Sequence, residues 1–249
     1  MLPYLQCVNV TKRFGGVTAL SRVDFSVRQR EIVGLIGPNG SGKTTLFNVI
    51  SGLIRLDEGQ ITFKDREITR LSPHAICRLG IARTYQIVRP FPTLTVLENV
   101  VVAATFGRRR ETRINQAQAE ARRWLESTGL AGRGGALPKQ LTIVEQKRLE
   151  MARALATRPE LLLLDEVMGG LNPTEVDACL DVVRRIRDEL GITIIIVEHV
   201  MRAVMRVAER VVVLSYGERI AEGKPDDVVR NSRVIEAYLG EEYAEALQR

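Results

Sequence analysis

At 249 residues, 45% of them hydrophobic, 27% charged and 5% aromatic, the chain is an ordinary globular protein with room for a sizeable core, either one domain with a large insertion or two small ones. No run approaches about 18 consecutive apolar residues, and the Met-Leu-Pro-Tyr start lacks the basic and apolar regions of a signal peptide, so neither a membrane-spanning helix nor a signal peptide is expected. The net charge of +6 and pI near 9.5 are compatible with nucleic acid, an anionic membrane surface or a nucleotide-binding chain, while Cys7, Cys77 and Cys179 are too scattered for a disulfide framework or zinc site and read as small core residues in a reducing compartment.

In chain order, Leu5–Val10, Val23–Val27 and Glu31–Ile36 are short β-rich runs separated by turns such as Phe14-Gly15-Gly16, which predicts an antiparallel sheet meeting a core strand. Phe14 lies about one hairpin upstream of that strand, where a ring could stack on a purine, although spacing alone favours a core phenylalanine. The apolar run Ile32–Ile36 leads into Gly37, Pro38, Asn39, Gly40, Ser41, Gly42, Lys43, Thr44 and Thr45, and then into a predicted helix over Leu46–Leu53 that ends near Gly52. A strand, a glycine loop with Lys-Thr and a helix together form the phosphate-binding loop. The glycines let successive N–H groups turn toward one anion, and the helix start adds partial positive charge beneath it. Lys43 can then reach the β- and γ-phosphates, and the Thr44 hydroxyl is placed to ligate Mg²⁺. The chain is expected to bind a nucleoside triphosphate.

Beyond this, Gln60–Lys64 reads as a strand, Ser72-Pro73 opens a short helix containing His74 and closing at Gly80, and Ile81–Tyr85 reads as another strand. Gln86, at that strand's carboxyl end, could hold Mg²⁺ or the attacking water through its carbonyl, or be a satisfied loop amide. From Val88 to about Arg158 the pattern is helical: a capping box at Thr95–Glu98 before Val96–Thr105, a charged helix over Glu111–Thr128, a glycine loop through Pro138, and a helix near Val144–Thr157. The basic cluster Arg108–Arg110 with Arg113, Arg122 and Arg123 reads as a solvated face, or as a patch near lipid headgroups. Leu161–Leu164 is a buried strand ending in Asp165-Glu166, where Asp165 would hold Mg²⁺ through water and Glu166 would polarise the attacking water as general base. Asn172-Pro173 caps a helix over Thr174–Leu190 that closes at Gly191, and the strand Ile192–Val197 ends in Glu198-His199. His199 could contact a γ-phosphate or cap the following helix. Strands at Arg210–Leu214 and Arg219–Glu222, a helix opened by Pro225 and a terminal amphipathic helix over Val234–Arg249 complete the chain.

The order of these features resembles the nucleotide-binding subunit of ATP-binding cassette (ABC) transporters over essentially the whole chain. The motifs are the phosphate loop, Gln86 of the Q-loop, Asp165-Glu166, Gly169-Gly170-Leu171-Asn172 as the D-loop and His199 as the switch histidine. The resemblance implies an α/β P-loop NTPase with a RecA-like core, an N-terminal antiparallel β-subdomain and an inserted α-helical subdomain. It implies one ABC domain over residues 1–249, with about 1–87 and 159–249 as catalytic core and 88–158 as helical subdomain. It also makes Phe14 an adenine-stacking residue and ATP with Mg²⁺ the cofactors. Two subunits would sandwich two nucleotides, in a homo- or heterodimer, and Gln86–Leu97 would dock on integral membrane permease subunits at the cytoplasmic face. The resemblance further implies a substrate-binding protein and no nucleic acid as partner.

The usual signature, L-S-G-G-Q, stands here as Leu141-Thr142-Ile143-Val144-Glu145, while Gln146–Leu155 matches the family closely. In the family this segment binds the γ-phosphate held by the partner subunit. Thr142 keeps a hydroxyl, Ile143 and Val144 lack the small glycines, and Glu145 brings a negative charge that is unfavourable unless something neutralises it. The D-loop also carries Asn172 where aspartate is usual. Two explanations stay open: a weakened site in an asymmetric pair, or a working subfamily variant. The stretches 80–86, 94–100, 166–173 and 236–240 look like ATPases of the branched-chain amino acid importer branch, whose members also carry altered signatures. Import of branched-chain amino acids or related small polar solutes is therefore expected. The alternatives are a soluble ABC-type ATPase of nucleic-acid repair or translation, a non-catalytic regulatory cassette and a lipid-export ATPase.

Overall fold

The computed structural model describes residues 3–108 and 113–239, which fall into two compact units: 3–72 with 193–239, and 73–108 with 113–192. Met1, Leu2, Arg109, Arg110, the start of the helix expected over Glu111–Thr128 and the expected helix end at 240–249 lie outside the described residues. Among the described residues no helix is long and apolar enough to cross a membrane.

The first unit begins with β1 (Leu5–Phe14) and β2 (Val17–Val27), an antiparallel pair that runs from Leu5 opposite Val27 to Phe14 opposite Val17, with the register shifting between Cys7 and Arg13. Both outrun the expected strands, because one face of the ribbon is exposed and its polar residues, such as Lys12 and Arg13, interrupt the apolar pattern that marks a strand in sequence. Next come β3 (Ile32–Ile36), α1 (Lys43–Ile50), β4 (Glu58–Phe63) and the two-residue β5 (Arg66–Glu67), which sequence pattern does not reveal. The antiparallel sheet has the order β2-β1-β4-β5.

The chain then builds the second unit: α2 (Pro73–Leu79), β6 (Ile81–Arg83), α3 (Val96–Phe106), α4 (Ile114–Ser127), α5 (Ile143–Ala156), β7 (Leu161–Asp165) and α6 (Pro173–Leu190). The Thr95–Glu98 capping box forms as expected, and Asn172 caps α6 in the same way, with Gly191 left-handed at its end. Helices α3, α4 and α5 share a core that includes Val96, Val100, Ala121, Leu125 and Leu149. The buried Asn99 amide ties down the segment after Gln86, accepting from Phe91 N at 2.8 Å and donating to the carbonyls of Phe91, Leu94 and Thr95. Strands β6 and β7 pair in parallel, with Arg83 opposite Leu163.

The first unit is completed by β8 (Thr193–Val197), α7 (Met201–Val207), β9 (Arg210–Ser215), β10 (Glu218–Gly223), α8 (Pro225–Val229) and α9 (Ser232–Leu239). Strand β3 is buried at all five positions and lies between β8 and β9, parallel to both, as expected of a strand covered on both faces. Of the cysteines only Cys7 is a core residue; Cys77 and Cys179 are half-buried.

Where β9 enters this sheet, Arg210 donates to both carboxylate oxygens of buried Glu31 at 2.9 and 3.0 Å, and Arg28 adds a third bond at 2.9 Å. Burial pushes the Glu31 carboxyl up, but these hydrogen bonds outweigh it and hold it at about 2, below its ordinary 4.5. Stability from this group is therefore complete above pH 4.5 and lost as the pH falls toward about 2. Replacing Glu31→Gln is expected to cost about 3 kcal/mol at neutral pH, measured by urea unfolding, with the difference from the parent protein shrinking as the pH drops through that window.

Candidate active site

In the first unit, β3 delivers the chain to Gly37 (φ +152°), where a Cβ would lie 2.0 Å from Leu214 O and 2.6 Å from Ser41 Oγ. At Gly42 (φ +103°), which caps α1, a Cβ would come within 2.5 Å of Ala19 O. No other residue fits these two turns, so the backbone between them curls into a cradle. Gly217 N donates to Ser41 O at 3.1 Å and fastens the cradle to the β9–β10 turn. Lys43 Nζ is held by Gly37 O (2.7 Å), Pro38 O (2.8 Å) and Ser41 Oγ (3.3 Å), which sets an ammonium over the loop. The α1 ladder begins with Leu46 N donating to Gly42 O at 2.8 Å. The N–H groups of Lys43, Thr44 and Thr45 precede it, at the positive end of the helix. Helical geometry thus starts at Lys43 rather than Leu46, because apolar periodicity marks only the buried turns. Asn39, Gly40 and Thr44 are exposed. A backbone cradle with a cation at its centre and an exposed hydroxyl beside it fits a polyphosphate.

Phe14 closes β1 and is 49% exposed, with Lys12 Nζ 5.3 Å from its ring centre, so the core reading that spacing favours does not hold. His199 follows β8 and is exposed. The residue at the cap position of α7 is Val200, which makes no side-chain cap bond.

In the second unit, β7 ends in buried Asp165, whose Oδ2 accepts from Arg83 Nη2 at 2.6 Å and whose N–H donates to Thr84 Oγ1 at 3.0 Å. Glu166 is left-handed (φ +49°), a conformation costing about 1–2 kcal/mol for a side chain of this kind. Its carboxylate accepts from Gln86 Nε2 at 2.6 Å, which leaves the Gln86 carbonyl oxygen as an acceptor for metal or water. Lys147 Nζ donates to Glu166 O at 3.2 Å and to Gly169 O. The Thr44 hydroxyl, the Gln86 carbonyl and the Asp165 carboxylate are hard oxygen donors of the kind Mg²⁺ takes.

The family model described as ABC transporter matches residues 20–169, more than half of the chain. The chain belongs to the ABC transporter family. A second model, branched-chain amino acid ATP-binding cassette transporter, matches residues 218–244. The cassette is 39% identical to the high-affinity branched-chain amino acid transport ATP-binding protein LivG of Salmonella typhimurium, over 96% of this chain and 98% of that protein. It is 38% identical to BraF of Pseudomonas aeruginosa over the same shares, and 33% identical to the lipopolysaccharide export system ATP-binding protein LptB of Escherichia coli over 96% of this chain and 98% of that protein. Among solved structures, the ATP-binding cassette MJ1267 of an ABC transporter superposes with a TM-score of 0.87 at 31% identity, covering 96% of this chain and all of that one. This ABC cassette is thus an ATP-binding and ATP-hydrolysing subunit of a membrane transport complex, with the α/β P-loop fold of the family.

The variant signature of this cassette forms an ordinary helix start. Thr142 caps α5, its hydroxyl accepting from Glu145 N at 3.2 Å while Glu145 Oε2 accepts from Thr142 N at 2.8 Å. The Thr142 hydroxyl also bonds the Glu145 carboxylate, which closes the cap on itself. Glu145 also pairs with Arg133 at 2.9 Å, and its carboxyl is lowered, chiefly by the Thr142 N–H bond. The negative charge expected to oppose a phosphate is therefore folded back on the cap and matched by a guanidinium. Arg83, Lys147 and Arg133 escape sequence reasoning because their partners are set by strand register and helix packing, and no motif spacing marks them. Gly37→Ala is expected to raise the ATP dissociation constant at least about tenfold and to cost about 1–3 kcal/mol in stability, read by nucleotide titration and thermal unfolding. Parental affinity in that variant would mean that Leu214 can move aside.

Proposed function

We propose that this cassette powers import of branched-chain amino acids. The observation that carries the reading is the match of residues 218–244 to the branched-chain cassette model, supported by the 38–39% identity to LivG and BraF along 96% of the chain.

In this reading Phe14 stacks on adenine, and Gly37, Pro38, Asn39, Gly40, Ser41, Gly42, Lys43, Thr44 and Thr45 hold the phosphates. Lys43 exchanges its loop carbonyls for phosphate oxygens, which are stronger partners because they are charged. Thr44, Gln86 and Asp165 are the donors for Mg²⁺, which when bound neutralises phosphate charge. Glu166 accepts the proton of the attacking water, and the bond from Gln86 aims its carboxylate. His199 meets the γ-phosphate. The transferred group needs little covalent help, so positioning and charge carry most of the rate.

Thr142 and the start of α5 face the nucleotide held by a second ATPase subunit, identical or not, so that the γ-phosphate favours closure of the pair and its loss reopens it. Residues 88–158 act as the helical subdomain of a single ABC domain, and Gln86–Leu97, pinned by Asn99, dock on integral membrane permease subunits at the cytoplasmic face. A substrate-binding protein supplies the solute, and nucleic acid has no part.

Glu166→Gln is expected to keep ATP binding, lower turnover about 10²–10⁴-fold and accumulate a closed dimer, measured by ATPase assay and gel filtration. Ile143→Gly with Val144→Gly is expected to change the turnover of the assembled complex if the variant signature limits the rate. An unchanged rate would show that the helix start suffices. The solute is tested by purifying the native complex from membranes and measuring ATP-driven uptake of labelled leucine into vesicles. Recovery with a lipid-exporting permease or with nucleic acid would overturn the importer reading.

A further inference from the structure

The second unit contains a cavity of about 220 Å³ between the end of α4, helix α5, the segment after β7 and helix α6. Lys43, Thr44, Gln86, Thr142, Asp165, Glu166 and His199 do not line it, while Val144, at the start of α5, does. Its wall is apolar and aliphatic, built from Val144, Met151, Val167, Leu171 and Val182, so a short branched chain placed there leaves water for hydrocarbon.

The rim carries both signs of charge. Arg185 on α6 and Glu126 near the end of α4 are both exposed, and among the described residues neither side chain has a hydrogen bond or ion pair. The other charged groups are engaged: Lys147 with Glu166 O and Gly169 O, Arg148 with Gly129 O at 3.4 Å, and Glu175 with Asn172 N at 2.8 Å. A molecule complementary to this cavity has a carboxylate, an ammonium and a compact aliphatic group. A nucleotide would bury polar edges against an aliphatic wall.

We propose that this cavity binds an aliphatic α-amino acid, its carboxylate at Arg185, its ammonium at Glu126 and its side chain among Val144, Met151 and Val182. The site also reaches the catalytic segment. Val167 follows Glu166, Leu171 lies in the D-loop, and Lys147 on the same wall holds Glu166 O. A ligand braced against Val167 and Leu171 restrains the left-handed turn that presents the Glu166 carboxylate, so occupancy slows ATP turnover. That the ligand is also the transported solute rests on the function proposed above, whereas its chemical class follows from the cavity.

The test is equilibrium dialysis of the full chain with labelled L-leucine, in competition with 4-methylpentanoate and 3-methylbutylamine, each of which lacks one of the two charges. Leucine is expected to be retained, and each competitor to displace it with an affinity weaker by about tenfold or more. Val182→Trp, which fills the cavity, is expected to abolish retention. Arg185→Glu, at an exposed position that leaves folding intact, is expected to weaken it about tenfold. No retention by the parent chain at about 10 mM leucine, or retention unchanged in both variants, would overturn the site. In the assembled transporter, leucine on the ATP side is expected to slow hydrolysis in the parent and not in Val182→Trp; equal rates in the two would remove the regulatory role. If the transporter carries another solute, vesicle uptake of leucine fails while dialysis still reports retention, so the two readings fail separately.

Discussion

The phosphate loop exists because two carbonyl oxygens, Leu214 O and Ala19 O, leave no room for a side chain at Gly37 and Gly42. Both oxygens belong to strands far away in sequence, β9 and β2. The close approach forces the backbone through left-handed turns, brings N–H groups to the start of α1 and leaves the carbonyls of Gly37 and Pro38 to hold the Lys43 ammonium. The remainder of the first unit supports that approach. The wholly buried β3 aims the loop, the β9–β10 turn fastens Ser41, and the Glu31–Arg210 pair seats β9 where it enters the sheet.

The second unit handles its acids differently. Asp165 is buried against Arg83, an arrangement in which loss of either partner costs about 3–5 kcal/mol, so the pair holds β6 and β7 together at their carboxyl ends. Glu166 is kept near the surface in a strained turn, with its carboxylate aimed by Gln86 and its carbonyl held by Lys147. One acid is locked and its neighbour is tethered. At the variant signature, too, an acid is tied down: the capping box and Arg133 fold Glu145 back onto the start of α5.

Several features were legible as strings: the phosphate loop, the acid pair after four leucines, the capping box at Thr95, the helix cap at Asn172 and the closing glycine at 191. Each is local, because a cap, a tight turn or a buried strand end demands particular residues within a few positions. Strand ends were less legible. The exposed face of β1 and β2 carries polar residues through Phe14 and from Val17, and a two-residue strand such as β5 has no pattern of its own.

By itself, then, the sequence determined the nucleotide chemistry and the family, since phosphate binding needs glycine, lysine and hydroxyl at fixed spacing and each requirement is met within one loop. The tertiary structure decided what is matched across the chain: Phe14 exposed instead of buried, Arg83 on Asp165, Arg133 on Glu145, and the opposed charges of Glu126 and Arg185 at the mouth of an aliphatic cavity. These depend on register and helix packing, which bring together residues far apart in the chain, 82 positions in the Arg83–Asp165 pair, and no local spacing records such a meeting.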